Sequence, residues 1–194
     1  MPLPIAHSLL GATLCVVSDR DGPTAGYGRF AAAVVLANGA DLDYLPGMLV
    51  GDPHRFHRLA AHSLGAAVLV ALLAAWLVRR GWVQAWPLRG GRPSGALGTA
   101  LIVGLLWSSH LVLDCLNDDF SQPVGVMMFW PLSDMWVHAW PLFHSIDKIS
   151  GPASPLDFLR SLLTAHNARA MLLEAAVLGP LLGLAVYWRH RWPR

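Results

Sequence analysis

Long apolar blocks separated by short polar segments dominate this chain. Three blocks, at residues 63–78, 95–116 and 170–188, approach the roughly 20 residues that a membrane-spanning helix requires. Two more, at residues 5–17 and 30–39, are shorter, and we expect them to form tilted or half-buried helices packed against the longer ones. The pattern predicts an all-α fold, a polytopic membrane bundle of about four to five membrane helices.

A further helix is predicted just before the last apolar block. Ser154 is a good N-cap, Pro155 suits the first helical position, and Asp157 suits the first turn. The apolar side chains that follow form one stripe, made of Leu156, Leu159, Leu162 and Leu163. The segment therefore reads as an amphipathic helix lying on the membrane surface.

Composition supports a membrane protein. The chain has 194 residues, of which 55% are hydrophobic and 13% are charged, with a net charge of +2. Soluble domains carry about 25% charged residues, so this chain lacks the polar surface that water requires. The small net charge gives no reason to expect a nucleic-acid partner. Without a linker or an internal repeat, residues 1–194 are expected to form a single domain.

The arginines predict an orientation for the bundle. Four of them, Arg79, Arg80, Arg89 and Arg92, lie between two of the long blocks, and residues 189–194 are basic as well. By the positive-inside rule, both segments are cytoplasmic. If the two shorter blocks also cross, the chain is multi-pass with its C-terminus in the cytoplasm.

One polar pair lies inside the 95–116 block. His110 and Asp114 are four residues apart, so a helix places them on one face, about one turn from each other. Burying an imidazole and a carboxylate among apolar side chains is costly unless they pair or hold an ion. The pair therefore predicts a metal site, and a structural His–Asp hydrogen bond is the alternative.

Further candidate metal ligands lie near the ends of other apolar blocks: His7, Asp41, Asp43, His57 and His62. Clustered histidines are typical of metal sites or interfaces. The acids have an alternative role as turn residues, and the histidines, with the neighbouring arginines, have one in contacting lipid headgroups. All the candidates fall at the ends of the helices away from the arginines, since His110 is about 22 Å up its helix. This convergence predicts a metal site at the outer face.

Together these residues resemble the YdjM-like bacterial inner-membrane proteins. The resemblance spans about residues 6–133 and depends on five features: His7, Asp41-Leu-Asp43, His57-Arg-Leu-Ala-Ala-His62-Ser, His110-Leu-Val-Leu-Asp114 and Trp130-Pro-Leu. That family is described as predicted membrane-bound metal-dependent hydrolases. It has been related to the helical fold of zinc-dependent phospholipase C and single-strand-specific zinc nucleases. The resemblance implies the inner (plasma) membrane, with the site on the periplasmic side.

The resemblance also implies a set of ligands. The first metal would be held by Asp41 or Asp43, by His57 or His62, and by His110 and Asp114. A second would be held by His7, with Asp114 bridging. One or two Zn-like ions are expected, with Mn as the alternative. The His-x-x-x-Glu pair of the related enzymes is missing, because Ala170 lies four residues before Glu174.

Two further side chains are expected to take part in catalysis. Arg58, beside the ligands, could hold a phosphate in a bidentate manner, although it could equally contact headgroups or carboxylates. Glu174, eight residues after His166, shares a helical face with it and could reach the site. Alternatively, Glu174 pairs with Arg169 or caps a neighbouring helix.

The expected function is that of a membrane-bound metal-dependent hydrolase. It would use a Zn-like ion to activate water against a small-molecule or lipid phosphoester, with membrane lipid as its partner. The alternative is a non-catalytic membrane protein that binds or senses a divalent metal. Haem binding is less well supported, because most of the histidines lie at one end of the bundle.

Overall fold

Seven α-helices make up most of the part of the chain that the computed structural model describes, which comprises residues 3–19, 21, 26–87, 95–118, 123–149 and 151–192. They are α1 (Pro4–Ser18), α2 (Tyr27–Ala37), α3 (Tyr44–Leu49), α4 (Leu64–Arg79), α5 (Gly95–Cys115), α6 (Pro155–Ser161) and α7 (Ala165–Arg191). A pair of two-residue strands, β1 (Asn117–Asp118) and β2 (Phe143–His144), pairs in parallel. The prediction of a mainly helical fold is confirmed.

Side-chain caps explain where several helices begin. Ser63 caps α4 by accepting a hydrogen bond from the Ala66 amide, and Ser154 caps α6 as the sequence predicts. Thr164 accepts from the Asn167 amide, so α7 begins at Ala165, earlier than the apolar block that starts at residue 170. A cap satisfies an otherwise unpaired amide of the first turn, which is why polar residues set these boundaries.

The first and last helices run parallel to each other. At one end, Glu174 of α7 accepts a hydrogen bond from the backbone amide of Leu3, just before α1. At the other end, the Arg189 guanidinium donates to the carbonyl oxygen of Asp19 at 2.7 Å. α2 runs antiparallel to α1, because its final residues contact Ser8 and its start contacts Asp19.

The remaining long helices complete an up-and-down arrangement. α4 and α5 pack as an antiparallel pair, with the Trp107 indole donating to the carbonyl of Ala61 just before α4. α2 packs against α5, and their C-terminal ends meet where His110 contacts the Ala37 carbonyl at 2.9 Å. The N-termini of α1, α4 and α7 and the C-termini of α2 and α5 therefore share one end of the bundle, here called the histidine end.

The arginines used to predict the orientation lie away from the histidine end where the structure describes them. Arg79 closes α4 and Arg189 lies in the last turn of α7, both at the far end of the bundle. Arg89 and Arg92 fall outside the described residues. Other arginines, including Arg58, lie at the histidine end, and the predicted orientation in the membrane stays a prediction.

Two described helices, α5 and α7, are long and apolar enough to cross a membrane, fewer than the four to five expected. The other apolar helices, α1, α2 and α4, have 15, 11 and 16 residues. They fall short because a perpendicular crossing of the hydrocarbon core needs about 20 residues.

The predicted amphipathic helix forms as α6. Its stripe points outward, because Leu156, Leu159 and the following Leu163 are 55%, 52% and 85% exposed. Phe158 points inward and is 4% exposed. The two-sided character is confirmed, and contact of this helix with the membrane surface stays a prediction.

Candidate metal centre

The candidate ligands meet at the histidine end although they come from four separate parts of the chain. His7 lies in the first turns of α1, and His110 and Asp114 lie in the last turns of α5. Asp41 belongs to a 3-10 turn after α2, and His62 to a 3-10 turn before α4. The side chains of the three histidines are fully buried, whereas that of Asp41 is 19% exposed. The cluster is therefore closed except beside Asp41.

Four donor atoms form its centre. Nε2 of His62 lies 3.2 Å from Nε2 of His110, and each of these atoms lies 3.3 Å from Oδ2 of Asp114. Oδ1 of Asp41 lies 3.6 Å from each of the same two nitrogens. Of the two candidate acids, Asp41 rather than Asp43 thus lies beside His110. Of the two candidate histidines, His62 rather than His57 lies beside His110 and Asp114.

These separations are close to those between the ligands of one zinc ion. Ligands bound to Zn²⁺ at about 2.0–2.1 Å lie roughly 3.3–3.4 Å from one another in a tetrahedron. The three separations among His62, His110 and Asp114 run from 3.2 to 3.3 Å, and Asp41 lies 3.6 Å from each of the two histidines. Two imidazoles and two carboxylates are ordinary zinc ligands, so both the geometry and the chemistry of the donors fit such an ion.

Several buried polar atoms of the cluster have no hydrogen-bond partner, as expected if they bind an ion. Within the described part of the chain, both carboxylate oxygens of Asp114, Oδ1 of Asp41 and both ring nitrogens of His7 are buried without a hydrogen-bond partner. Buried polar atoms without partners cost free energy and are rare in native proteins. A cation among these atoms would satisfy several of them together.

His7 offers a second position on the other side of Asp114. Its Nε2 lies 3.6 Å from Oδ1 of Asp114, whereas Oδ2 faces His62 and His110. The His7 ring stacks on that of His110 with 3.8 Å between centroids. Asp114 therefore presents one oxygen to His7 and the other to His62 and His110, and His7 also groups with Asp41 and His110 within 4.8 Å.

Asp43 and His57 form an outer layer instead. Oδ2 of Asp43 lies 3.0 Å from Nδ1 of His62, and Oδ1 lies 2.9 Å from Nδ1 of His57. A carboxylate at the far nitrogen of a metal-binding histidine fixes the tautomer and turns the near nitrogen toward the ion. His57 also groups with Asp41 and His62 within 4.8 Å, but its Nδ1 is engaged by Asp43.

The backbone amide of Arg58 helps to hold the side chain of Asp43 in place. Its amide donates to Oδ2 of Asp43 at 3.1 Å, and its φ of 66° lies in the left-handed region, where a non-glycine residue is uncommon. The side chain is largely buried with the rest of the residue, which is 7% exposed. The predicted role of Arg58 in binding phosphate stays a prediction.

Burial and ion pairing control protonation in the loops of the site. Burial opposes ionisation of Asp41 and Asp43, but contacts with the histidines hold the pKa of both carboxyls below the ordinary value. Burial lowers the pKa of His57 to about 3, despite its contact with Asp43. For His62, contacts with three carboxylates outweigh burial and raise the pKa. Asp41 and Asp43 therefore stay ionised, and a divalent cation bound beside them would displace the proton that the raised pKa favours on His62.

Glu174 does not join the donor atoms, contrary to one expectation. Its carboxylate oxygens accept hydrogen bonds from the amides of Leu3 and Ala6, at 2.7 and 3.1 Å. Unpaired amides at the start of a helix attract a carboxylate, and the polarity of the helix favours the same contact. Glu174 therefore caps α1, the alternative that its position already suggested.

Sequence reasoning overlooked one aromatic residue of the site. Tyr44 stacks on His57 with 3.9 Å between centroids, and its hydroxyl accepts a hydrogen bond from Lys148 at 3.0 Å. In the sequence, the position of Tyr44 directly after the candidate ligand Asp43 could have indicated that it belongs to the site. Lys148 is 104 residues away along the chain, so no local pattern could have linked the two.

Comparison with known proteins gives one match. The family described as YdjM inner membrane protein matches residues 1–192. Neither the curated proteins nor the solved structures contain a match. The distant relationship to zinc-dependent phospholipase C stays a prediction. Since the match covers nearly the whole chain, the protein belongs to the YdjM inner membrane protein family.

Proposed function

We propose that this membrane protein is a metal-dependent hydrolase whose first metal is held by Asp41, His62, His110 and Asp114. The observation that carries the proposal is the set of donor separations between 3.2 and 3.6 Å, in a buried cluster. A divalent ion bound there would activate water as a nucleophile and polarise the ester. Zn fits the mixed imidazole and carboxylate donors, and Mn is the second choice.

The residues around the donors suggest how a substrate would be held. Asp41 is the donor whose side chain is partly exposed, at 19%, so the substrate would approach from its side. Asp43 would keep Nδ1 of His62 engaged, which directs Nε2 toward the centre. Arg58, next to His57 in the chain, would bind an anionic oxygen of a phosphoester. His7 and the second oxygen of Asp114 would hold a second ion.

The proposed substrate is a phosphoester, either a lipid or a small molecule, at the periplasmic side of the inner membrane. The family supports the membrane location, and the separation of the arginines from the histidine end supports a cytoplasmic C-terminus. The shorter apolar helices α1, α2 and α4 would cross together with α5 and α7 where the bilayer is locally thinned.

A second candidate function is non-catalytic binding or sensing of a divalent metal. Four protein donors are typical of structural zinc sites, whereas catalytic sites usually have three plus an open position. Exposure of Asp41 favours the hydrolase, since this ligand can move or share its position with water.

The first experiment measures metal content. Detergent-purified wild type is compared with His110→Ala and Asp114→Asn, and with His190→Ala as control, because His190 is exposed at the far end of α7. We expect one or two equivalents of Zn or Mn in wild type and in the control, with a large loss in both site variants. A well-folded wild type without metal would contradict the proposal.

A second measurement separates the two candidate functions. The metal-loaded protein in nanodiscs is incubated with phospholipids and soluble phosphoesters, and phosphate or headgroup release is followed. Release that is lost in Asp114→Asn supports the hydrolase. Full metal content without release of any product supports the non-catalytic alternative.

A further inference from the structure

Two short helices, α3 and α6, form a layer beside the metal donors. They meet through Tyr44 and Phe158, whose ring centroids are 5.2 Å apart, and through a hydrogen bond of 3.0 Å from the Ala153 amide to the Gly51 carbonyl. The Tyr44 ring also stacks on His57. The layer is thus attached to the residues that support the cluster.

The outward face of this layer is strongly apolar. On α3, Leu45 and Leu49 are 54% and 88% exposed. On α6 and the residues after it, the stripe of Leu156, Leu159 and Leu163 is more than half exposed, while the inward Phe158 is nearly covered. Contiguous exposed leucines of this extent mark a surface that contacts another apolar phase.

We propose that α3 and α6 lie in the lipid leaflet at the histidine end, with these leucines among the acyl chains. The position of α6 argues for lipid, because only residues 162–164 separate it from α7, a candidate membrane span. A helix joined this closely to a span stays at the membrane surface. Lipid is therefore the phase that meets its apolar face.

Charge along the same segment agrees with this placement. Arg160 lies on α6 between the leucines, its side chain is 68% exposed, and it is close to Asp157. Arg169 lies in the first turns of α7 and is exposed as well. Arginines that flank buried leucines commonly reach the headgroup level, where they meet lipid phosphates. The leucines would then lie below the headgroups and the arginines among them.

This placement does not depend on a bound metal, although it has a consequence for the proposed function. A lipid-immersed layer next to His57 and Asp41 brings acyl chains to the exposed side of the donor cluster. Amphiphilic molecules already in the leaflet would reach that side without leaving the membrane. If the hydrolase proposal holds, the inference favours the lipid phosphoester over the soluble one.

The test uses depth-dependent fluorescence quenching in the full-length protein. Single cysteines at Leu159→Cys, Leu163→Cys and Leu49→Cys are labelled with bimane, with Asp157→Cys as the matched control on α6, because the Asp157 side chain is 57% exposed on the side of α6 away from the leucines. The native Cys15 and Cys115 are buried, so they leave labelling to the introduced thiols. The labelled proteins are placed in nanodiscs with lipids that carry a nitroxide on the upper acyl chain.

We expect the three leucine positions to be quenched about twofold or more strongly than position 157, because interfacial helices bury their apolar face in the acyl boundary. Thermal melting confirms that each labelled variant is folded, and the high exposure of Leu163 makes its replacement tolerable. Equal quenching at all four positions overturns the inference. So does crosslinking between copies through position 163 without quenching, which would assign the face to a protein partner.

Discussion

Asp41 and Asp43, which are separated by one residue, take different roles in the candidate metal centre. Asp41 directs Oδ1 at the nitrogens of His62 and His110, whereas Asp43 contacts the far nitrogen of His62 and the ring of His57. The 3-10 turn that contains both explains the difference, since residues two apart on such a turn point in different directions. One carboxylate can then act on the metal and the other on its ligand.

Substitution of each aspartate by asparagine should separate these roles. Asp43→Asn should weaken metal binding by about 10–100-fold, the usual effect of losing a partner behind a metal-binding histidine. Asp41→Asn should weaken it more, because a charged donor is removed. Isothermal titration of metal into the stripped protein checks both, with Asp134→Asn, on an exposed loop, as control. Equal losses for both variants would contradict the division.

At the scale of helices, α1 is held closely on two sides. α7 caps its start through Glu174, and α2 approaches so closely that a Cβ on Gly11 would lie 2.6 Å from Cβ of Ala37. Small residues allow this approach between apolar helices, where van der Waals packing supplies much of the attraction. Because His7 lies one turn before Gly11, the same contact fixes the depth of His7.

Gly11→Ala should therefore destabilise the bundle. The added methyl group has no space, and overpacking of this kind costs about 1–3 kcal/mol. Gly179→Ala is the matched control, because its Cβ would have no neighbour within 4 Å and alanine favours a helix. Thermal unfolding in detergent should show a lower midpoint for Gly11→Ala alone. Unchanged stability of Gly11→Ala would show that α2 can move away freely.

At the scale of the whole molecule, the donor residues come from elements that are far apart along the chain. Asp41 follows α2, His62 precedes α4, and His110 and Asp114 end α5. An ion bound by all of them favours the assembled bundle over any state in which these helices separate. Metal binding and the stability of the fold are therefore linked.

Metal removal should lower the unfolding temperature. A ligand at about 100 times its Kd adds about 2.7 kcal/mol to the free energy of unfolding. Excess chelator should thus destabilise wild type and leave Asp114→Asn unaffected. Protons compete with the metal for the imidazoles, and the raised pKa of His62 means that this competition already acts above the ordinary value of about 6.5. The stabilisation by metal should therefore shrink steadily as the pH falls from about 8 to about 5. Melting curves with and without chelator, recorded between about pH 5 and about pH 8, check both effects.

Local patterns predicted the helices and most of the donors, but not every role. The spacing of His110 and Asp114, together with the arginines between two of the long apolar blocks, was sufficient to predict that the candidate ligands lie at one end of the bundle. The choice between His57 and His62 depended on contacts across the fold, since Nε2 of His62 lies beside His110 and Asp114, which no local spacing reveals. The role of Glu174 depended on a partner 171 residues away, which only the packing of α1 against α7 brings close.

That last contact also has a consequence for the order of biosynthesis. The chain makes Leu3 at its beginning, but the carboxylate that holds the first turn of α1 arrives 171 residues later. Until α7 has been made, α1 lacks the partner that sets the position of His7 beside Asp114. His7 thus reaches its final place in the cluster only after nearly every other described helix has been synthesised.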